Sequence, residues 1–422
     1  MDAKPKDIHQ DPDVKWYIEL WKGDFQRLFG LFGLNPVVVV LCAAVQEVIS
    51  RMDILEKKYG YNIIYVNKDI KGLQKTLGSN RWVCDPITMI NYLKMRSHRD
   101  NVVWFTIHSS INWQSLASVK SVIPDAKIIS YVYDWQQLFV PKEHLHVWED
   151  YVANGPKYAL AECEVIEKVL EGKMVDGLIH GDYGDKWPML DKADFPLGSL
   201  WMPRSCGRKI YQKQPPVNVE NRLAIIGTVL HKSMFNKKVV LFQETNIEKM
   251  YHKICNDGYK IDIFTLFPKP ECLEFYNKEF PHKMVRLHQG MQLSALLPTI
   301  AGRMKFGCML YEWETDITKG HDEVSMPTKF FTYLALGIPI LASDRLTATC
   351  RIIEQEGCGI VFKDGDINNF KKHVNSRRYE ELLENVESCR YKYCTEAFED
   401  GFASIMKRGV ELPPSKAVFN RR

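Results

Sequence analysis

Short β-branched runs alternate with longer amphipathic stretches along this chain, and the alternation breaks once and then restarts. Few folds accept that pattern. Strands apolar on both faces must be covered on both faces, which is the condition of a parallel sheet wound with helices. The runs Val37–Leu41, Asn62–Val66, Val102–Ile107, Ile128–Val132 and Gly177–Ile179 predict one such sheet, with helices at Gln46–Tyr59 and Tyr158–Lys173 between them. The segment Arg204–Val217 is polar, basic and carries Pro215-Pro216, so it reads as a linker. The pattern resumes with strands expected at Leu223–Ile226, Lys260–Phe264, Met284–Leu287, Phe306–Leu310, Ile338–Ala342 and Gly359–Phe362. An α/β chain of two doubly wound, Rossmann-like domains follows, and 422 residues suit two domains of about 200 each. In such sheets ligands bind beyond the carboxyl ends of the strands, which places a site in the cleft between the domains.

Composition narrows the class. Hydrophobic residues at 45% and charged residues at 26% are ordinary for a globular core. A net charge of +4 is small for this length and argues against a dedicated nucleic-acid binder. The 11 cysteines include no Cys-x-x-Cys pair, and segments such as Leu41-Cys42-Ala43 make them read as reduced core thiols. The polar, acidic start from Met1 to Asp13 does not read as a signal peptide. The apolar run Val37–Val45 is far short of the roughly 18 residues a membrane span needs. The expectation is a cytoplasmic protein with no metal centre.

The stretch Ser325–Ser343 carries the clearest chemistry. Ser325 suits an N-cap, Pro327 a first helical turn, and Gly337 the position that ends a helix. Phe330, Phe331, Leu334 and Ala335 form an apolar stripe, and the apolar Ile338–Ala342 follows as a buried strand. Lys329 falls in the first turn, where helix amides and the macrodipole already favour an anion. The plainer alternative is an ordinary αβ unit with a solvated lysine.

The strand order in the second half, together with Arg286-Leu-His-Gln-Gly290 and Pro327-Thr-Lys-Phe-Phe-Thr-Tyr-Leu-Ala-Leu-Gly-Ile-Pro339, resembles the donor half of GT-B glycosyltransferases of the glycogen-synthase-like group. Trp104–His108, Ile129–Asp134 and Met174–His180 are similar to the acceptor-half strands. The resemblance implies an acceptor-side domain over residues 1–205, a linker over 206–220, and a donor-binding domain over 221–389. Residues 390–422 would then hold a helix crossing back onto the first domain, and a tail. It implies transfer of a sugar, of the hexosyltransferase type, from a nucleotide-diphosphate sugar to a glycan or lipid-linked hydroxyl, with no cofactor. Such a transfer makes a diphosphate leaving group whose negative charge a lysine and a helix N-terminus stabilise without an obligatory metal. By resemblance the donor contacts are Gly227, Thr228, Lys232, His288, Glu323, Ser325, Thr328 and Lys329.

Two departures matter. The group's ribose-binding glutamate is replaced by Thr332, and its second glutamate falls on Val324, with Asp322 and Glu323 adjacent as substitutes. Retaining and inverting chemistry therefore both stay open. An inverting enzyme needs a general base, for which Asp134 and His108 at strand ends are the candidates, with Asp182 and Asp185 weaker. Glu312 and Glu314, after a donor-half strand, are candidates for contacts to donor-sugar hydroxyls. A nucleotide-sugar 2-epimerase on the same fold and a non-catalytic nucleotide-sugar-binding relative are the alternatives. Finally, Trp21, Phe25, Leu28, Phe29 and Phe32 recur at helical spacing. Such a helix either packs on its own domain or rests peripherally on the inner face of a membrane.

Overall fold

A computed structural model describes residues 36–41, 46–67, 70–77, 81–85, 89, 102–108, 119, 123, 125–132, 175–181, 195–227, 247–265, 270–280, 284–289, 293–311, 319–363 and 366–411. Among them run thirteen strands: β1 (Val37–Leu41), β2 (Asn62–Val66), β3 (Trp82–Cys84), β4 (Val102–His108), β5 (Ile128–Val132), β6 (Gly177–His180), β7 (Ser199–Trp201), β8 (Arg222–Ile226), β9 (Lys260–Thr265), β10 (Val285–Gln289), β11 (Phe306–Met309), β12 (Ile340–Ser343) and β13 (Gly359–Phe362). They form a seven-stranded sheet in the order β3-β2-β1-β4-β5-β6-β7 and a six-stranded sheet in the order β10-β9-β8-β11-β12-β13. Every pairing is parallel, as between β1 and β4 or β8 and β9. Both sheets therefore share one winding, with the order reversing beside the first strand of each. That reversal is where Rossmann-like folds place their ligands.

Eleven of the thirteen strands coincide with the expected runs to within two residues. The two unexpected ones, β3 and β7, are edge strands of three residues each, too short to show periodicity. The Gln46–Tyr59 helix has the expected bounds. The Tyr158–Lys173 stretch and the aromatic segment Trp16–Phe32 lie outside the described residues.

Three clusters make the core. The first joins Val38, Val40, Phe105, Ile129 and Tyr131 of the first sheet to Phe402, Ile405 and Met406. The latter three belong to a helix over Glu399–Glu411 that follows the second sheet in sequence but packs on the first. Phe402 stands edge-on to Phe105 at 6.1 Å between ring centroids. Lys127 Nζ donates to the Val410 carbonyl at 2.7 Å, satisfying the end of that helix. The chain does not reach it through one helix from Arg390 to Arg408. A helix at Tyr379–Lys392 stops at Tyr393, a short 3₁₀ turn covers Thr395–Phe398, and only then does the last helix begin. The break lets Thr395 turn inward, where its N–H meets the Cys206 carbonyl and its hydroxyl the Ser205 carbonyl. The other two clusters cover the two faces of the second sheet.

The Arg204–Val217 segment connects the sheets but is no loose linker. Arg204, Ser205 and Cys206 are buried. Arg51 donates to the Pro203 carbonyl at 2.7 Å, Gln212 N–H to Ala335 at 2.8 Å, and Arg390 to the Gln212 carbonyl at 2.8 Å. Its polar side chains are spent as well: Gln214 donates to the Leu383 carbonyl at 2.6 Å, Tyr211 to the Arg390 carbonyl at 2.9 Å and Arg208 Nε to Cys394 Sγ at 3.2 Å, which composition alone cannot separate from solvation.

Candidate functional site

The carboxyl ends of β8, β11 and β12 bring together Gly227, Tyr311, Ser343 and the helix Thr328–Leu336. Residues 330 to 336 of this helix are all buried, packed between the second sheet and residues such as Cys206, Val386 and Cys389. Each large apolar side chain among them contributes about 1.5–3 kcal/mol. Tyr333 lies flat over β11, where a Cβ on Gly307 would come within 2.1 Å of its ring. Its hydroxyl accepts from the Ile226 N–H at 3.2 Å and donates to the Cys308 carbonyl at 3.0 Å. Burial pushes its phenol far above the ordinary range, so it stays a donor. Gly337 closes the helix at φ +71°, its N–H bonded to the Leu334 carbonyl.

The helix start differs from the expected one. Pro327, not Ser325, occupies the N-cap position, and the helix begins at Thr328. Ser325 is buried two residues earlier, its N–H directed to the Asp322 carbonyl and its own carbonyl accepting from the Thr349 hydroxyl at 2.9 Å. Thr328 receives an Arg204 guanidinium N–H at 3.4 Å on its hydroxyl. Lys329 leaves the first turn half-buried. Its ammonium donates to the Tyr311 hydroxyl and lies 4.7 Å from the centre of the Tyr311 ring. Gly227 forms the opposite wall: at φ +138°, it would place a Cβ 3.2 Å from Lys329 Cε.

Thr332 occupies the position of the missing glutamate. It is 2% exposed, and its hydroxyl bonds back to the Thr328 carbonyl at 3.0 Å. Its hydroxyl is spent within its own helix. Of the acidic substitutes, Asp322 is buried and holds Arg345 Nε at 2.9 Å, while Glu323 is half-buried beside it in the helix Lys319–Val324.

His288 lies near the end of β10, 39% exposed at its side chain, stacked on Phe264 at 4.8 Å. Its Nε2 is 2.5 Å from Asp262 Oδ1, and the other oxygen of Asp262 takes Arg222. Burial raises the pKa of Asp262, but hydrogen bonds from His288 and Arg222 outweigh it and hold the carboxyl below its ordinary value. A carboxylate only accepts, so His288 carries its proton on Nε2. Asp262 and Tyr311 are the residues that sequence reasoning missed. The signal for Asp262 was a lone acid inside an apolar strand, whereas Tyr311 meets Lys329 only after the loop between them folds.

The remaining candidates are only partly placed. His108 is the last residue of β4, and Asp134 lies two residues beyond the end of β5, outside the described residues. Thr228, Lys232, Asp182, Asp185, Glu312 and Glu314 also lie outside them. No helix of the described residues is long and apolar enough to cross a membrane.

Comparison with known proteins agrees with this geometry. Residues 248–400 match the family described as Glucosyltransferase 3-like, C-terminal domain. No curated protein matches the sequence. Among solved structures, HepE of Anabaena, in complex with UDP and glucose, superposes with a TM-score of 0.59 at 7% identity, over 89% of this chain and 100% of that one. The lipopolysaccharide outer core galactosyltransferase WaaB gives 0.54 at 11% identity, over 88% and 99%. Os79 from O. sativa, in complex with UDP, gives 0.53 at 11%, over 89% and 99%. With its two Rossmann-like sheets the chain shares the GT-B fold of these structures, and its residues 248–400 resemble a glucosyltransferase 3-like C-terminal domain.

Proposed function

We propose that the protein transfers a hexosyl group from a nucleoside-diphosphate sugar to the hydroxyl of a glycan or lipid-linked acceptor. One observation carries this reading: Lys329 stands in the first turn of a fully packed helix, walled by Gly227 and Tyr311, at the carboxyl ends of the strands. Bond cleavage at the donor leaves a diphosphate with growing negative charge. An ammonium and helix amides fixed in advance stabilise that charge without reorganising. The nucleoside diphosphate is the donor's leaving group, so no cofactor or metal enters the scheme. His108, the last residue of β4, and Asp134, which follows β5 in sequence, are the candidates for a base that takes the acceptor proton. Thr228 and Lys232, just past Gly227, are the candidates for further phosphate contacts. A UDP-sugar is the first donor to try, since HepE and Os79 were each solved with UDP.

Incubation with a panel of nucleotide sugars, with and without glycan acceptors, tests the reading. Nucleoside diphosphate released only with acceptor supports transfer. An isomerised sugar nucleotide would identify an epimerase instead, and binding without turnover a non-catalytic relative. In a binding assay, Lys329→Ala is expected to weaken nucleoside diphosphates about thirtyfold or more, and nucleosides less than twofold. Equal diphosphate affinity in variant and wild type would sink the role of Lys329.

A further inference from the structure

The contact between Lys329 and Tyr311 extends that reading, on which the following inference rests. A lysine ammonium at the end of four rotatable bonds is a poor phosphate clamp until something orders it. Here its described surroundings are fixed on three sides. The backbone of Lys329 belongs to a helix whose next seven residues are buried. Gly227 limits the stem on one side, its missing Cβ leaving 3.2 Å to Lys329 Cε. On the other side Tyr311 takes one N–H of the ammonium on its hydroxyl and places its ring against the charge at 4.7 Å. Tyr311 is itself anchored: its N–H donates to Ser343 Oγ at 2.8 Å, and the Ser343 hydroxyl donates back to the Tyr311 carbonyl at 3.1 Å. Ser343 is the last residue of β12, so the anchor is the neighbouring strand end.

We propose that Tyr311 is a positioning residue, which uses its hydroxyl and ring face to hold the Lys329 ammonium toward the diphosphate of the donor. An ammonium has three N–H donors, and the phenol takes one. Two remain for phosphate oxygens. The tyrosine thereby removes beforehand part of the ordering cost that binding would otherwise carry. A phenol is also neutral, so it orders the lysine without cancelling the charge that attracts the ligand. An acid in the same place would hold the ammonium equally well but repel a diphosphate.

The experiment titrates full-length protein with UDP, GDP and ADP, and with the matching nucleosides, and follows the tightest diphosphate through four variants. Tyr311→Phe keeps the ring and removes the hydrogen bond, and it is expected to weaken the diphosphate about three- to tenfold. Tyr311→Ala should weaken it further. Nucleoside affinity should stay within twofold of wild type throughout, which a merely structural defect would not respect. In a Lys329→Ala background, Tyr311→Phe should change diphosphate affinity by less than twofold, because the group it positions is gone. Undiminished or tighter diphosphate binding by Tyr311→Phe overturns the proposal, as does an equal loss with and without the lysine. If Lys329→Ala weakens the diphosphate and Tyr311→Phe does not, only the positioning role fails. Wild-type affinity in Lys329→Ala, or no diphosphate bound by the wild type, removes the phosphate site itself.

Discussion

The two sheets wind alike but spend their buried polar groups differently. In the first, three described buried charges reach backbone, and Arg51 also donates to the Tyr131 hydroxyl at 3.3 Å. Asp176 accepts from the Ile128 N–H at 2.7 Å, Lys127 reaches the Val410 carbonyl, and Arg51 reaches the Pro203 carbonyl while lying 4.3 Å from the Tyr131 ring centre. In the second, bonds to backbone such as Tyr333 to the Cys308 carbonyl are joined by pairs of side chains: Arg222 and His288 to Asp262, Arg345 to Asp322, and Lys329 to Tyr311. Bonds to backbone fix a chain path. Pairs of side chains fix charges in space, which is what a site for an anionic donor requires. The same winding thus serves as a scaffold closed by the end of the chain in one half, and as a holder of placed charges in the other.

The largest expected effect tests the first half of that contrast. Phe402 is fully buried against Phe105, on the helix that returns from the second sheet. Phe402→Ala should lower stability by about 3–5 kcal/mol in urea unfolding followed by circular dichroism. A loss under about 1 kcal/mol would mean that the first sheet does not depend on the returning helix. Asp262 probes the second half. Asp262→Asn leaves Arg222 buried with only Glu220 beside it, at 2.9 Å, and should cost about 3 kcal/mol. The wild-type carboxyl lies below its ordinary value of 3.8, so its contribution is complete above that value. It is lost as the pH falls through the lower, folded-state value. Stability of Asp262→Asn should therefore fall less steeply than wild type between about pH 5 and pH 2. Parallel acid limbs would show that Asp262 is not held ionised by its partners.

The contrast also marks where sequence was readable. Strands such as β1 and β5 were legible because their residues are apolar on both faces, and burial on both faces is what a parallel sheet imposes. The Thr328–Leu336 helix was legible from its apolar stripe and from Gly337, whose φ of +71° few other residues adopt without strain. Its first residue was not, because Ser325 carries every local mark of an N-cap and is drawn inward instead by Asp322 and Thr349, the latter 24 residues away. Tyr311 was missed for a similar reason: its partner is 18 residues on, and no local rule pairs an aromatic after a strand with a lysine in the next helix. The Arg204–Val217 segment misled in the opposite direction, since its basic and polar side chains hold the two halves together. What local pattern conveys is burial and backbone geometry, and what it omits is which polar group meets which.

Thr332 gives the smallest effect and the sharpest division within the second half. It stands where the sequence resemblance expects a glutamate, yet its hydroxyl is turned onto the Thr328 carbonyl inside a buried helix. The carbonyl it meets lies within helical hydrogen-bonding range of the following turn, so losing the hydroxyl leaves little unsatisfied. Thr332→Val keeps the branched shape but loses one hydrogen bond, and should change stability by less than about 1.5 kcal/mol, measured by thermal unfolding. It should also leave the affinities for a nucleoside diphosphate and its nucleoside within twofold of wild type. A selective fall in nucleoside affinity would place Thr332 against the ribose after all. The polar groups of this half would then not divide into those that hold the helix and those proposed to meet the donor.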